Sequence, residues 1–162
     1  MKKIIILDFG SQYTQLIARK IRELHVYCEI WPYHQYEKLT EQELIGLVLS
    51  GSPASVHDDQ PPVITVESLP RVPVLGICFG AQLMAHRSGG KVSKARHREY
   101  GRALLRKKSK DVLLHSVPEN SQVWMSHADT IVTLPDEAEC IASTEDIDVA
   151  AYRWKQDKKW YG

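Results

Sequence analysis

Two short runs, "IIIL" at residues 4–7 and "LVL" at residues 47–49, are apolar at every position rather than at alternate ones. A strand that is apolar on both faces needs cover on both, and the usual cover is a set of crossover helices joining parallel strands. A helical pattern lies between these runs: Leu16, Ile17, Lys20, Ile21 and Leu24 follow helical spacing, leaving Arg19, Arg22 and Glu23 for solvent. The alternation continues through "VYCEIW", "ELIGLVLSG", "VPVLGIC" and "AQLMAH". It predicts an α/β domain of βαβ units around a parallel sheet.

After "SGG" at residues 88–90 the helical rhythm fades into strand-like pieces: "KVSKA", "RALLRKK", "QVWMS", "TIVTL", "ECIAS" and "VAAYRW". These predict antiparallel strands extending the sheet, with a hairpin turn at "QDKK" (156–159) leading into a strand that begins at "WYG". The segment "SPASVHDDQPP" is expected to be a surface loop rather than a domain boundary. A chain of 162 residues has room for one domain with a real core, since single domains run to about 100–200 residues.

With 43% apolar residues, 25% charged residues and a formal net charge of +1, the composition points to neither a nucleic-acid nor a membrane partner. No apolar run approaches the ~20 residues that span a bilayer, and the N-terminus does not read as a signal peptide, so a cytoplasmic location is expected. The basic cluster of Arg96, Arg98, Arg102, Arg106, Lys107, Lys108 and Lys110 has the form of a nucleic-acid patch. Without an aromatic-rich motif beside it, it is read as a solvated face or a contact surface for another domain. Asp8 and "FGSQ" end the first strand but lack the glycine pattern of a phosphate loop, so nucleotide binding is not assigned there.

Three cysteines, odd in number and far apart, suggest neither a disulfide framework nor a zinc site; no metal is expected. Cys28 and Cys140 read as core residues of strands. Cys78 differs. It stands in "GICFG", Gly76 to Gly80, a G-x-C-x-G pattern between an apolar strand and a helical run. This is the thiol counterpart of the nucleophile elbow, where a reactive side chain is held on a strand-to-helix turn at a helix N-terminus that favours the thiolate. The bland alternative is a buried cysteine closing a core strand. A thioester-forming nucleophile also needs amides aimed at the developing oxyanion. The loop "LSGSPAS" follows another apolar strand and could face the same crevice, though by itself it is equally a Gly/Ser/Pro turn.

"ILDFGSQYTQLIARKIRELHVYCEIWP", "LSGSPAS", "VLGICFGAQLMA", "REYG" and "VWMSHAD" occur in the order found in class I glutamine amidotransferases, so the chain resembles that family along essentially its whole length. The first and last of these segments resemble its GMP synthase branch in particular. The resemblance implies a flavodoxin-like, doubly wound, mostly parallel sheet with an added antiparallel C-terminal part. It also implies glutamine hydrolysis through a thioester on Cys78, with the backbone amides of Ser52 and Phe79 as oxyanion hole and Gly51, Gln82, Ser126 and His127 holding glutamine. A free amino acid must be fixed at both charged ends before its amide is positioned for attack. His127 is equally readable as an alternative base or as a structural histidine.

The resemblance further implies that residues 1–162 are a glutaminase domain incomplete at its C-terminus. A synthetase domain using ATP and Mg2+ to aminate XMP, and a homodimerisation region, would lie outside it; no cofactor is implied within it. Three departures stand out. Ser52 occupies a place usually held by glycine, Ala128 another, and the family's catalytic His-x-Glu pair is expected on a strand just after Gly162. Two other readings remain: a glutaminase serving a different synthase, and a non-catalytic regulatory module of the same fold.

Overall fold

The computed structural model describes the backbone of residues 1–162 and all side chains except those of residues 96–100 and 127. The expectations for His127 and for Arg96, Arg98 and the "REYG" segment therefore fall, in whole or in part, on side chains outside the described set. In the first half the expected alternation appears as β1 (Lys3–Asp8), α1 (Thr14–Glu23), β2 (Cys28–Pro32), β3 (Leu44–Leu49), β4 (Val74–Gly76) and α2 (Phe79–Arg87). The crossovers from β2 to β3 and from β3 to β4 carry only short 3-10 turns, Tyr33–Lys38 and Val66–Ser68. Prolines at 61, 62, 70 and 73 explain the second case, because each removes an N–H and clashes with the preceding turn of a helix.

The second half forms β5 (Lys91–Lys107), β6 (Ser121–Thr133), β7 (Ala138–Ser143), β8 (Ala151–Trp154) and β9 (Trp160–Tyr161). All nine strands join in one sheet in the order β2-β1-β3-β4-β9-β8-β7-β5-β6. Pairing is parallel from β2 to β9 and antiparallel from β9 to β6, so the mixed architecture expected from the sequence is the one found. The expected hairpin is present, with β9 turning back on β8 and also pairing parallel to β4. "KVSKA" and "RALLRKK" are one strand rather than two, as are "QVWMS" and "TIVTL". The β5–β6 ladder slips in register between Lys94 and Glu99 without ending either strand.

Both faces of the parallel sheet are covered, which is why β1 and β3 are continuously apolar. Ile5, Leu7, Leu47 and Leu49 pack with Phe79, Leu83 and Met84 of α2 on one face. Ile6, Cys28 and Val48 pack with Ala18 of α1 on the other. Cys28 is thus core, as expected, its Sγ donating to the Ala18 carbonyl at 3.5 Å. Cys140 is only partly buried, its Sγ 3.2 Å from the carbonyls of Ala142 and Asp148. A third cluster, Leu105, Leu114, Ile141, Ala142 and Ala151, holds the antiparallel part.

One expectation is corrected. The inward face of α1 is centred on Thr14 and Ala18, with Ile17 and Ile21 beside them, whereas Leu16 is 48% and Leu24 76% exposed. Ala18 is small enough for the helix to lie close over Ile6 and Val48, and that choice turns Leu16 away. Leu24 is already the C-cap, followed by His25 at φ 59, where the helix has ended. Among the described residues no helix is long and apolar enough to cross a membrane.

This packing makes a test by chemical denaturation. Leu16→Lys should change stability by no more than about 0.5 kcal/mol, as at an ordinary surface position. Ala18→Leu, inserting bulk under the helix, should cost about 1–3 kcal/mol. The reverse order would mean that α1 presents its other face to the sheet.

Candidate active site

β4 ends at Gly76 and α2 begins at Phe79, leaving Ile77 and Cys78 to turn the chain from strand to helix. Cys78 does so at φ 51 and ψ −113, a conformation L side chains rarely adopt and which costs about 1–3 kcal/mol. The flanking glycines make this turn sterically feasible. A Cβ on Gly76 would lie 2.7 Å from the Ala81 nitrogen, and one on Gly80 would strike the Leu49 carbonyl oxygen. The Gly80 N–H donates to the carbonyls of Ser50 (3.1 Å) and Ile77 (3.0 Å), and the Ile77 N–H to that of Leu49 (2.9 Å). The elbow is therefore pressed against the end of β3.

That end of β3 is organised by Ser50, a residue of the "LSGSPAS" loop to which the sequence assigned no role. Ser50 is fully buried; its Oγ accepts the Phe9 N–H at 3.0 Å and donates to the Gly51 carbonyl at 2.9 Å, joining the ends of β1 and β3. Gly51 comes so near the elbow that a Cβ built on it would be 3.5 Å from the Cys78 Cβ. The Ser52 hydroxyl turns back to accept the Ala54 N–H at 3.1 Å. Neither Ser52 nor Ala128 is among the residues at positive φ, so a side chain replaces the family's usual glycine at each without backbone strain. None of the hydrogen bonds among the described residues uses the Ser52 N–H or the Phe79 N–H. The latter, at the first helical position, has no acceptor within its helix.

Cys78, Gly51, Ser52, Phe79, Gln82 and Ser126 all line one cavity of about 670 Å³. It opens at the carboxyl ends of β1, β3 and β4, where the strand order reverses and doubly wound sheets bind ligands. Gly10, Ser11, Gln12 and Tyr13 close it from the end of β1, and β6 covers it from above. His127 is the one expected site residue whose side chain is not described. A smaller, mostly apolar cavity of about 280 Å³ shares Cys78, Gln82 and Ser126 with the first and runs to Tyr152 and Ile131. Gln82 is buried, and its Nε2 donates to the Asp129 carbonyl at 2.9 Å, so its amide also fastens β6 to α2. Asp129 and Ser55, joined side chain to side chain at 2.5 Å, were missed by sequence reasoning. The "SHAD" segment holds the only available signal for Asp129, and there the histidine draws the attention.

The Cys78 side chain opens to solvent, but the surrounding backbone displaces enough water to push its thiol above the ordinary value. The helix N-terminus acts in the opposite direction. Among the described residues no cation or histidine offsets the desolvation, so burial and the helix end pull the thiol in opposite directions. Asp8 is engaged structurally, its Oδ1 accepting the Gly10 N–H (2.9 Å) and the Thr14 hydroxyl (2.8 Å). One His-x-Glu triplet does occur in the chain, His97-Arg98-Glu99; it lies within β5, and its side chains are outside the described set. Among the described residues no cluster of His, Cys, Asp or Glu is fit to hold a metal.

Residues 5–162 match the family model described as glutamine amidotransferase class-I. The chain belongs to this family. Class-I amidotransferase relatives include the glutamine-hydrolyzing GMP synthases of Bacteroides thetaiotaomicron, 53% identical, and Phocaeicola vulgatus, 50% identical, each aligned over 98% of this chain. The alignments cover 32% and 31% of those proteins, so the chain spans about a third of the length of the curated relatives it matches. A candidate GMP synthase subunit of Thermoplasma acidophilum superposes with a TM-score of 0.85 at 30% identity, covering 99% of this chain and 81% of that one. With a glutamine amidotransferase of Thermotoga maritima the chain shares the fold, at a TM-score of 0.76 and 20% identity, over 99% of this chain and 74% of that one.

Two tests follow from the elbow. Gly80→Ala should destabilise the chain by about 1–3 kcal/mol or more through collision with β3, whereas Gly46→Ala, where a Cβ meets only ordinary contacts, should stay within about 1 kcal/mol. Iodoacetamide labelling of Cys78, followed by mass spectrometry, should accelerate with pH about a midpoint above the ~8.5 of a free cysteine. A midpoint below that value would show that an undescribed group or the helix end overrides desolvation.

Proposed function

We propose that this chain is the glutaminase part of a glutamine-hydrolysing GMP synthase. The observation that carries the reading is Cys78, held at positive φ at the mouth of a cavity beside two N–H groups without partners among the described residues. Support for the GMP synthase branch comes from the two relatives of that name at about half identity.

In this reading glutamine enters the larger cavity with its side-chain amide against Cys78. The sulfur attacks the amide carbon, the carbonyl oxygen takes the negative charge, and the Ser52 and Phe79 amides receive it. Collapse expels ammonia, which leaves with the proton lost by the thiol, and forms a γ-glutamyl thioester. Water then cleaves the thioester to glutamate and free thiol. Gly51, Gln82, Ser126 and His127 are assigned to holding the amino acid.

Because the thiol is pushed up, a base must take its proton before attack can be fast. We assign that base, with its orienting carboxylate, to a His-x-Glu pair contributed by sequence outside these 162 residues. The ammonia would serve ATP- and Mg2+-dependent amination of XMP in a synthetase domain, within a homodimeric cytoplasmic enzyme. No cofactor is assigned to the glutaminase part itself.

Ammonia release from glutamine is the test, measured for this chain and for a chimera joining it to the remaining two thirds of the 53% identical relative. The chimera should hydrolyse glutamine, and Cys78→Ala should lower the rate by at least ~10³-fold. Hydrolysis without amination of XMP would point to a glutaminase serving another acceptor. Silence of the chimera with XMP and ATP present would favour a regulatory module of the same fold.

A further inference from the structure

We propose that Asp129 is a positioning residue for the loop bearing the Ser52 amide, acting through Ser55. The inference rests on the glutaminase reading of Cys78. Asp129 sits on β6 and is 7% exposed. Its Oδ2 accepts the Ser55 hydroxyl proton at 2.5 Å, within the range of a charge-assisted O–H···O⁻ bond. Its main-chain carbonyl accepts from Gln82 Nε2 at 2.9 Å. One residue thus joins the loop after β3, the strand that roofs the cavity, and the helix that begins at the nucleophile.

The loop needs such a pin. Between Ser50 and the 3-10 turn at Val66 it has no strand or helix to hold its backbone. Ser55 lies three residues beyond Ser52 and is the hub of the segment. Its N–H donates to Asp58 Oδ2 at 2.8 Å, and its Oγ accepts the His57 N–H at 3.2 Å. The His57 ring in turn meets the Val92 carbonyl through Nε2 at 2.7 Å. The single proton of the Ser55 hydroxyl is committed to Asp129, and among the described residues that bond alone ties the hub to β6. An oxyanion donor acts only if it is aimed at the place where charge develops, and aiming an irregular loop requires fixed partners outside it. A buried carboxylate is costly unless it is hydrogen-bonded, so the pair is an expensive feature to keep without a use.

Asp129 also lines the 670 Å³ cavity, which leaves a rival role as a direct ligand for the ammonium of glutamine. The two roles part company in a labelling experiment on this chain that needs no turnover. The probe is a glutamine analogue in which the amide nitrogen is replaced by a chloromethyl group. Cys78 sulfur bonds to its CH2 carbon, the C–Cl bond breaks, chloride leaves, and the thiol proton passes to buffer. The neighbouring ketone oxygen draws on the Ser52 and Phe79 donors. Iodoacetamide, too small to be held by the cavity, reports the bare reactivity of the same thiol.

The quantity read is the ratio of the two labelling rate constants at Cys78, by mass spectrometry at one alkaline pH. Asp129→Ala and Ser55→Ala should each lower the ratio about tenfold, less than the ~10²–10³ for deleting an oxyanion donor outright. The double variant should fall no further, because both remove one bond. Asp129→Asn retains an acceptor for the Ser55 proton and should stay within about threefold of the wild type. The half-saturating analogue concentration should not move in Ser55→Ala. A rise in that concentration for Asp129→Ala with Ser55→Ala unchanged in every respect would make Asp129 a substrate ligand and overturn the proposal. So would equal losses with both reagents together with a lowered melting temperature, the mark of a merely structural bond. A wild-type ratio no greater than that of free cysteine would sink the glutaminase reading itself, before any variant is compared.

Discussion

The approach of Gly80 to the backbone of Leu49 and Ser50 is the contact on which the site depends. It brings the first turn of α2 against the end of β3, and no residue with a Cβ fits there. Once the two are pressed together, Cys78 has no room to follow an ordinary strand-to-helix path and is driven to positive φ. Its sulfur then projects toward the crevice at the carboxyl ends of the strands. Backbone strain at this point is sustained by the packing of Phe79, Leu83 and Met84 beneath it, each nearly or fully buried.

Around that contact the site is assembled from short polar ties rather than from charge pairs. Ser50 joins the ends of β1 and β3, Gln82 joins α2 to β6, and Asp129 joins β6 to the loop carrying Ser52. Tyr152, buried and with its hydroxyl pushed well up by desolvation, donates to the Ala81 carbonyl at 2.5 Å and holds α2 from the antiparallel side. Every element bordering the cavity is thereby connected to another through hydrogen bonds with little access to water, where such bonds are stronger and missing partners more costly. The same exclusion of water raises the thiol of Cys78. In the proposed glutaminase reading, a raised thiol depends on a base to set attack in motion.

Much of this was legible in the sequence because it is local. Continuous apolar runs announced the parallel strands, and G-x-C-x-G announced the elbow, since a turn with two close backbone approaches can be built from few residue types. Lining residues that lie next to those motifs, such as Gly51 and Phe79, came from the family resemblance that the motifs carry. The face of α1 did not, because Leu16 and Ala18 are both compatible with helical spacing and only the separation from the sheet chooses between them. The merging of "KVSKA" with "RALLRKK" was hidden for a similar reason. A ladder can slip in register and continue, whereas a sequence pattern that loses its alternation looks as if it has stopped.

By itself the sequence determined the order of strands and helices, the covered character of the sheet and the one cysteine placed between glycines on a strand-to-helix turn, all of which depend on neighbours within a few residues. Tertiary structure decided which distant polar groups meet: Ser55 with Asp129 across 74 positions, Gln82 with Asp129 across 47, Phe9 with Ser50 across 41. It also decided that the Cys78 thiol is raised, because desolvation is set by every atom that displaces water, whatever its place in the chain. Serine, aspartate and glutamine carry no periodic signal. Their roles exist only once the fold has removed the water that would otherwise satisfy them.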